Sequence, residues 1–114
     1  MLHMDRALAE RHYGEHAGKF FFEDLVSYIS SSPIAAAVIE GPSAVGVVRS
    51  MLGSTRPAEA APGTIRGDFA VAGLRNLMHA SDSVERGKLE IDLFFKPEEV
   101  FSYGRDIDKW IYEK

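Results

Sequence analysis

The spacing of apolar residues predicts two helices at the start of the chain. Residues 5–17 are expected to form the first, because Asp5 is a suitable N-cap and the alanines and leucine after it favour a helix. Residues 20–29 are expected to form the second, because apolar side chains recur there at the three- and four-residue spacing of one helix face. That face comprises Phe21, Phe22, Leu25, Val26 and Ile29.

A short apolar run and a third helix are predicted next. Residues 34–40 show no alternation of polar and apolar side chains, which is typical of a buried central strand. Ser43 is the expected N-cap of a helix over residues 44–52, and Gly53 is expected to end that helix. The pattern therefore changes from helical to extended and back to helical within this stretch.

A junction between a strand and a helix is the main feature of the second half. Residues 74–78 are a short apolar run, predicted to be extended, that leads directly to His79. Asp82 is the expected N-cap of the next helix, with Glu85 placed to complete a capping box, and this helix should run to about Phe95. Backbone N–H groups at such a helix start can bind an anion. The face expected to point toward the core comprises Val84, Gly87, Ile91, Phe94 and Phe95.

Composition narrows the class of protein. A chain of 114 residues is long enough for one domain, over residues 1–114, and its formal net charge of −4 argues against a general nucleic-acid-binding surface. No nucleic acid partner is therefore expected. The absence of cysteine excludes disulfides and thiolate metal sites and is compatible with a cytoplasmic location. No apolar run is long enough to cross a bilayer, so we expect no membrane association.

His79 is the side chain best placed for chemistry. A histidine has an ordinary pKa of about 6.5, so a neutral imidazole with a nucleophilic nitrogen is available at neutral pH. A phosphoryl acceptor would also need cations, which Arg49 and Arg66 could supply, and an acid to orient the ring, either Glu85 or Glu90. Spacing alone favours a partly exposed histidine without chemistry, because nothing in the pattern shows that these residues meet.

Two blocks of sequence resemble a known family. Residues 76–85 read Asn-Leu-Met-His-Ala-Ser-Asp-Ser-Val-Glu, and residues 61–69 read Ala-Pro-Gly-Thr-Ile-Arg-Gly-Asp-Phe. Both closely resemble nucleoside diphosphate kinases, whose active-site signature is Asn-x-x-His-Gly-Ser-Asp, and the resemblance extends from about Leu8 to Tyr112. It implies an α+β domain in which helices pack on a ferredoxin-like antiparallel sheet.

The resemblance also implies an activity. The family transfers the γ-phosphoryl group reversibly from a nucleoside triphosphate to a nucleoside diphosphate through a phosphohistidine, which would form here on His79. It implies Mg²⁺ as cofactor, ATP and other nucleoside tri- and diphosphates as partners, and a homo-oligomer that is a hexamer or a tetramer. The alternative is a non-catalytic member of the same family that binds nucleotide or serves in assembly.

Family positions give each candidate site residue an implied role. Tyr13, Ser81 and Glu90 match positions that support the catalytic histidine, and no residue is matched to a metal. The nucleotide-binding set comprises Phe21 and Leu25 for the base, Asn76 for the ribose, and Arg49, Thr55 and Arg66 for the phosphates. For each of these residues, ordinary packing or solvent exposure without ligand contact is the open alternative.

Several departures from the family pattern are the reason for considering a non-catalytic member. Family members begin with a strand that carries a Lys-Pro-Asp motif and then a helix, so this chain is expected to lack the first β–α unit and its lysine. We expect it to start at an internal methionine of a longer protein rather than to be a natural short form. Ala80 replaces a family glycine and would be strained if that position required a positive φ. Gly73 and Gly87 also differ from the family pattern and would weaken the site.

Overall fold

The computed structural model describes residues 1–113, and the elements it forms there are helical. The helices are connected by long irregular segments and three short 3₁₀ turns, over Gly14–His16, Pro57–Glu59 and Pro97–Glu99. The α-helices are α1 Arg6–His12, α2 Phe22–Ile29, α3 Ala44–Leu52, α4 Ile65–Phe69, α5 Val84–Phe94 and α6 Asp108–Ile111.

The first two helices are shorter than their sequence patterns predict. The N-cap prediction for α1 is confirmed, because the Asp5 carboxylate accepts a hydrogen bond from the backbone N–H of Leu8 at 2.8 Å. The helix ends at His12 instead of Ala17, and a separate, tighter 3₁₀ turn over Gly14–His16 follows it. Gly18 has a φ of 82°, so the chain turns there and α2 begins only at Phe22.

Helix α3 has the predicted bounds, and Gly53 ends it with a φ of 83° as expected. The predicted cap is wrong. Ser43 has a left-handed backbone with a φ of 53°, and its side chain makes no capping hydrogen bond. A residue in that conformation does not present its hydroxyl to the first turn as an extended N-cap residue does.

Helix α5 differs from the prediction at its start and on its buried face. Ser83 is the N-cap instead of Asp82, because its hydroxyl accepts a hydrogen bond from the N–H of Arg86 at 3.0 Å. Val84, predicted to face the core, is 60% exposed, whereas Glu90 is only 6% exposed. The helix thus exposes one predicted core residue and buries a carboxylate that was not part of the predicted core face.

The predicted antiparallel sheet is not formed within residues 1–113. Its only trace is an isolated antiparallel bridge, in which the N–H groups of Leu2 and Ile34 donate to each other's carbonyl oxygens at 2.9 and 2.7 Å. The rest of the predicted central strand has no ladder, and Ile39 is 62% exposed. A strand needs a neighbour for its backbone groups, and only Leu2 serves as one here. Residues 74–78 are likewise irregular instead of extended.

The core lies between α1 and α2. Met4, Ala9 and Val26 are fully buried there, and partly buried aliphatic and aromatic side chains surround them. Helix α1 also packs against α5, which brings the end of α1 to the middle of α5. The aromatic tail does not join this core, since Tyr103 is 77% exposed and Trp110 79% exposed. None of the helices in residues 1–113 has the length and apolar character needed to cross a bilayer.

Candidate active site

The imidazole of His79 is held by the carboxylate of Glu90. The Nε2 atom of His79 lies 2.9 Å from Oε1 and 2.8 Å from Oε2 of Glu90, and the acid is therefore Glu90 and not Glu85. The Glu90 side chain is 7% exposed, whereas that of His79 is 42% exposed. An ionised carboxylate can only accept hydrogen bonds, so Nε2 must be the donor. The lone pair of the neutral ring is then on Nδ1.

Two further donors keep Glu90 ionised. The hydroxyl of Ser81 donates to Oε2, and the Arg86 guanidinium donates from Nε to Oε1 at 3.2 Å. Burial alone would raise the pKa of Glu90, but the hydrogen bonds from Ser81 and His79 outweigh burial and hold the pKa below its ordinary value. The carboxylate is therefore charged at neutral pH and fixes the tautomer of His79.

His12, which the sequence analysis did not single out, lies directly against His79. The two rings are 4.5 Å apart and meet nearly at a right angle, and Nδ1 of His12 is 4.0 Å from Oε1 of Glu90. His12 is 1% exposed, and neither ring nitrogen has a hydrogen-bond partner among the described residues. Burial, followed by the repulsion that a protonated His79 would exert, lowers the pKa of His12 to about 4, so the His12 imidazole is neutral at neutral pH.

Arg86 is a second site neighbour missed by the sequence analysis. Besides its contact with Glu90, it donates from Nη2 to the backbone carbonyl of His12 at 2.9 Å. This bond fixes the end of α1 to α5 and hence the position of His12. The four-residue separation of Arg86 and Glu90 on one helix was a usable signal. The contact of His12 with His79 had none, because it depends on two helices meeting across the fold.

Tyr13 reaches the histidine only through His12. Its ring centroid lies 4.6 Å from that of His12, and the side chain is half-buried. Burial, and secondarily the charge of Glu90, raises the pKa of the phenol, which stays protonated at neutral pH. The structure thus brings Tyr13 to the edge of the site, with His12 between it and His79.

Arg66 and Arg49 support the peptide on either side of His79. The buried guanidinium of Arg66 donates from Nε to the carbonyl of Asn76 at 3.1 Å and from Nη2 to that of Met78. Arg49 donates from Nη1 to the carbonyl of Ala80 at 3.1 Å. Burial, and secondarily the charge of Arg49, lowers the pKa of Arg66, as expected for two neighbouring cations. Two positive charges therefore flank the segment that carries the imidazole.

Arg66 also connects this segment to the end of α3. Its Nη1 donates to the carbonyl of Gly53 at 3.2 Å, so three of its five N–H groups serve backbone carbonyls. Asn76 adds a second link, since its side-chain amide donates to the carbonyl of exposed Thr55 at 2.9 Å. The predicted phosphate and ribose residues Arg66, Thr55 and Asn76 thus lie together, beside the His79 segment.

Backbone strain occurs at Leu77, before His79, and not at Ala80, where the sequence predicted it. Leu77 has a φ of 73°, an uncommon conformation for a branched residue and the kind of strain that concentrates at functional sites. Ala80 is absent from the positive-φ residues of the described chain, so alanine is not strained there as it would be at a glycine-requiring position. The segment is thus bent before His79, not after it.

The two residues predicted to bind the base lie farther away. Phe21 and Leu25 are half-buried at the start of α2. The ring of Phe21 lies 5.5 Å from that of His16, which in turn lies 6.3 Å from Tyr13. A row of rings therefore leads from His79 through His12, Tyr13 and His16 to Phe21, and no direct contact of Phe21 with His79 is described.

Two cavities lie near His79, and neither is lined by the two arginines beside it. One of about 180 Å³ is lined by His79, Ser81 and Glu90 together with apolar residues of α3 and α5. A larger one of about 420 Å³ lies beside it and excludes His79. Neither is lined by Arg49 or Arg66, so the two guanidinium groups beside the His79 segment lie outside both cavities.

The donor set around His79 does not suit Mg²⁺. Within residues 1–113, the grouping of three or more possible ligand side chains is His12, His79 and Glu90, with ligand atoms within 4.8 Å of one another. Mg²⁺ prefers six oxygen ligands and is usually held by one or two carboxylates and substrate phosphates. Two imidazoles and one carboxylate do not match that preference.

Comparisons with known proteins identify the family to which this chain is similar. The sequence profile described as nucleoside diphosphate kinase matches residues 1–100. A nucleoside diphosphate kinase from Chloroflexus aurantiacus is 56% identical over 115 residues, covering 99% of this chain and 76% of the relative. One from Pelotomaculum thermopropionicum is 54% identical over 113 residues, with the same shares covered.

Solved structures give the same result. A halophilic nucleoside diphosphate kinase from Halobacterium salinarum in complex with CDP has a TM-score of 0.94 at 44% identity and covers 98% of this chain and 75% of that one. A nucleoside diphosphate kinase family protein from Babesia bovis has a TM-score of 0.91 at 42% identity, with 96% and 74% covered. The fold and the sequence together define a phosphotransferase that binds nucleotides. The chain belongs to the nucleoside diphosphate kinase family, which confirms the resemblance noted in the sequence.

Proposed function

We propose that this chain transfers the γ-phosphoryl group between nucleoside triphosphates and diphosphates through a phosphohistidine on Nδ1 of His79. The observation that carries the proposal is the pair of contacts from Nε2 to Glu90 at 2.9 and 2.8 Å. Because those contacts keep the proton on Nε2, the lone pair on Nδ1 is available to attack phosphorus. The exposed face of the ring gives a nucleotide access to it.

The reaction proceeds in two phosphoryl-transfer steps. The Nδ1 lone pair forms a bond to the γ-phosphorus while the bond to the bridging oxygen breaks, and the nucleoside diphosphate leaves with that electron pair. A terminal phosphate oxygen of a second diphosphate then attacks the phosphorus, and the P–N bond returns its electrons to Nδ1. Glu90 stabilises the positive charge that develops on the ring in the first step and is lost in the second.

Arg49 and Arg66 are proposed to stabilise the transferred phosphoryl group. Both lie beside the segment that presents His79, and their charges complement an anion there. Thr55 and Asn76 are proposed to contact phosphate and ribose from the adjacent loop, which their hydrogen bond links to the same arginine. Ser81 and Tyr13 are proposed to act on His79 indirectly, through Glu90 and His12 respectively.

The base is proposed to lie against Phe21 and Leu25. Apolar contact with a base face is tolerant of base identity, so ATP and other nucleoside tri- and diphosphates should all serve as substrates. The CDP complex of the relative from Halobacterium salinarum supports nucleotide binding by this fold. Mg²⁺ is proposed to enter as the complex of the nucleotide phosphates, since the side chains around His79 do not match its ligand preference.

An assembled state is proposed to complete the fold. The extended segment after Ile34 and the aromatic tail leave apolar side chains uncovered, including Ile39 and Trp110. Pairing with further strands would build the ferredoxin-like sheet, and packing between copies would give the homo-oligomer, a hexamer or a tetramer. A reducing cytoplasmic location is proposed from the absence of cysteine.

Incubation with γ-labelled ATP followed by denaturing electrophoresis tests the function. We expect label on the protein that is lost in acid, retained in alkali, and discharged by a second nucleoside diphosphate. His79→Ala should carry no label, whereas His3→Ala, which changes an exposed histidine beside α2, should be labelled normally. An unlabelled wild-type chain would instead support the non-catalytic alternative, which the family match does not favour.

A further inference from the structure

Three potential metal ligands converge at the back of the His79 ring. Ligand atoms of His12, His79 and Glu90 all lie within 4.8 Å of one another, and Nδ1 of His12 is 4.0 Å from Glu90. The proposed phosphoryl transfer uses the carboxylate and one histidine but leaves both nitrogens of His12 without a function. Buried polar atoms without a partner cost free energy, so an unpaired buried imidazole requires an explanation.

The chemistry of this triad suits a borderline transition metal. Two neutral imidazoles and one carboxylate are ligands that Zn²⁺ accepts, with a fourth position open to water. Both ring nitrogens of buried His12 lack a hydrogen-bond partner among the described residues, so no hydrogen bond has to break before one of them binds a metal. Tetrahedral Zn²⁺ would need the ligand atoms roughly 3.3 Å apart. They now lie within 4.8 Å of one another, so each pair of ligand atoms must approach by about 1.5 Å at most.

The positive charge of Arg86 opposes metal binding, whereas the exposure of His79 favours entry of the metal. Arg86 donates to Glu90 at 3.2 Å and would lie close to a bound cation, so its side chain must turn toward its second partner, the carbonyl of His12. The half-exposed ring of His79 forms the outer wall of the triad and gives an ion a path from solvent. The buried inner wall is His12, packed against Phe94 at 5.1 Å.

We propose that His12, His79 and Glu90 form a binding site for one Zn²⁺ ion, and that its occupation switches off phosphoryl transfer by His79. The inhibitory part rests on the function proposed above, whereas the binding part does not. The metal would bond to Nε2 of His79, the nitrogen that now donates to Glu90. The proton on Nε2 moves to Nδ1 in the neutral ring, and the lone pair that would attack phosphorus is no longer available.

Binding is tested without nucleotide by calorimetric titration of the metal-free full chain with Zn²⁺. We expect one equivalent to bind, and Co²⁺ in its place to give the visible absorption of a four-coordinate site. His12→Gln removes one ligand and should weaken binding at least about tenfold. His79→Gln should do the same, and because His79 is half-exposed this second variant keeps the fold if His12→Gln does not.

His3→Gln is the matched control, since His3 is exposed and bonds the carbonyl of Ser30 instead of the triad. It should bind Zn²⁺ like the wild type. If His3→Gln weakened Zn²⁺ binding as much as His12→Gln does, or if the wild type bound no Zn²⁺, the proposed metal site would be refuted. Excess Mg²⁺ should not displace Zn²⁺, because it prefers oxygen ligands.

Inhibition is measured separately, as the yield of acid-labile label on His79 from γ-labelled ATP with and without one equivalent of Zn²⁺. We expect the label to fall in the wild type and to be restored by a chelator. A wild type that binds Zn²⁺ yet is labelled normally would overturn the switch. A wild type that binds Zn²⁺ but takes no label in its absence would refute the phosphoryl-transfer function while leaving the metal site established.

Discussion

Arg49 and Arg66 hold the peptide carbonyls on either side of His79, with Arg66 bonded to Met78 and Arg49 to Ala80 at 3.1 Å. The His79 ring is therefore carried by a segment that a cation holds on either side. The same two side chains carry the charge that a phosphate would need. The structural support that they give and the anion binding proposed for them therefore depend on the same two side chains.

Arg66→Ala should be much more destabilising than Arg49→Ala. Removing the buried guanidinium leaves three backbone carbonyls without a donor, which should cost roughly 3 kcal/mol or more of the free energy of unfolding. Arg49 serves a single carbonyl in a half-buried position, so its loss should cost about 1 kcal/mol. Urea unfolding of the two variants measures the difference. Equal costs would contradict the supporting role of Arg66.

Glu90→Gln should slow phosphorylation of His79. An amide can present either an acceptor or a donor to Nε2, so the tautomer with the lone pair on Nδ1 is no longer enforced. We expect the rate of label uptake from γ-labelled ATP to fall by about 10²-fold. Glu85→Gln is the matched control, because Glu85 is an exposed carboxylate on the same helix. A control as slow as Glu90→Gln would show that the effect is not one of ring orientation.

The buried imidazole of His12 should make stability depend on pH. Its folded-state pKa is about 4 and its ordinary value is 6.5, so between these values the unfolded chain binds the additional proton. The free energy of unfolding contributed by this group therefore rises with pH from about 4 to 6.5, by up to about 3 kcal/mol. Urea titrations across this window in a chelating buffer should show the slope in the wild type and in His3→Gln. They should show a smaller slope in His12→Gln, and an unchanged slope there would refute the assignment.

Ser83→Ala should destabilise α5 more than Asp82→Ala does. The hydroxyl of Ser83 accepts the N–H of Arg86 at 3.0 Å, and losing an N-cap costs about 1 kcal/mol. Asp82 makes no described capping bond, so its replacement should change stability by no more than a few tenths of a kcal/mol. Thermal unfolding followed by helical circular dichroism compares the two. The reverse order would restore the cap predicted from the sequence.

Local signals were sufficient for the elements whose bonds are local. The cap at Asp5 and the bounds of α3 could be predicted, because helix periodicity and nearby hydrogen bonds determine them, whereas the predicted Ser43 cap of α3 does not form. Ser83 could not be told from Asp82, since two neighbouring side chains can both cap a helix. The predicted central strand is present only as one bridge at Ile34 for a different reason, because a strand depends on a neighbour that its own sequence does not specify.

In the candidate site, too, the residues could be predicted from sequence but the contacts between distant segments could not. The resemblance pointed to His79 and Glu90, and their contact is present, yet spacing alone could not choose Glu90 over Glu85. His12 was missed because its position depends on α1 meeting α5. Arg66 was assigned to phosphate alone, and its three backbone carbonyls come from segments that only the folded chain brings together.

The single bridge between Leu2 and Ile34 has a consequence for amide exchange with solvent. Within the described chain the N–H groups of residues 35–40 have no intramolecular acceptor, so their hydrogens should be replaced by deuterium almost as fast as in an unfolded peptide. The helix-bonded amide of Leu52 should retain its hydrogen far longer. This stretch of backbone is therefore a reporter of its surroundings: any strand that comes to lie beside it will be seen first as slower deuterium uptake by these six amides.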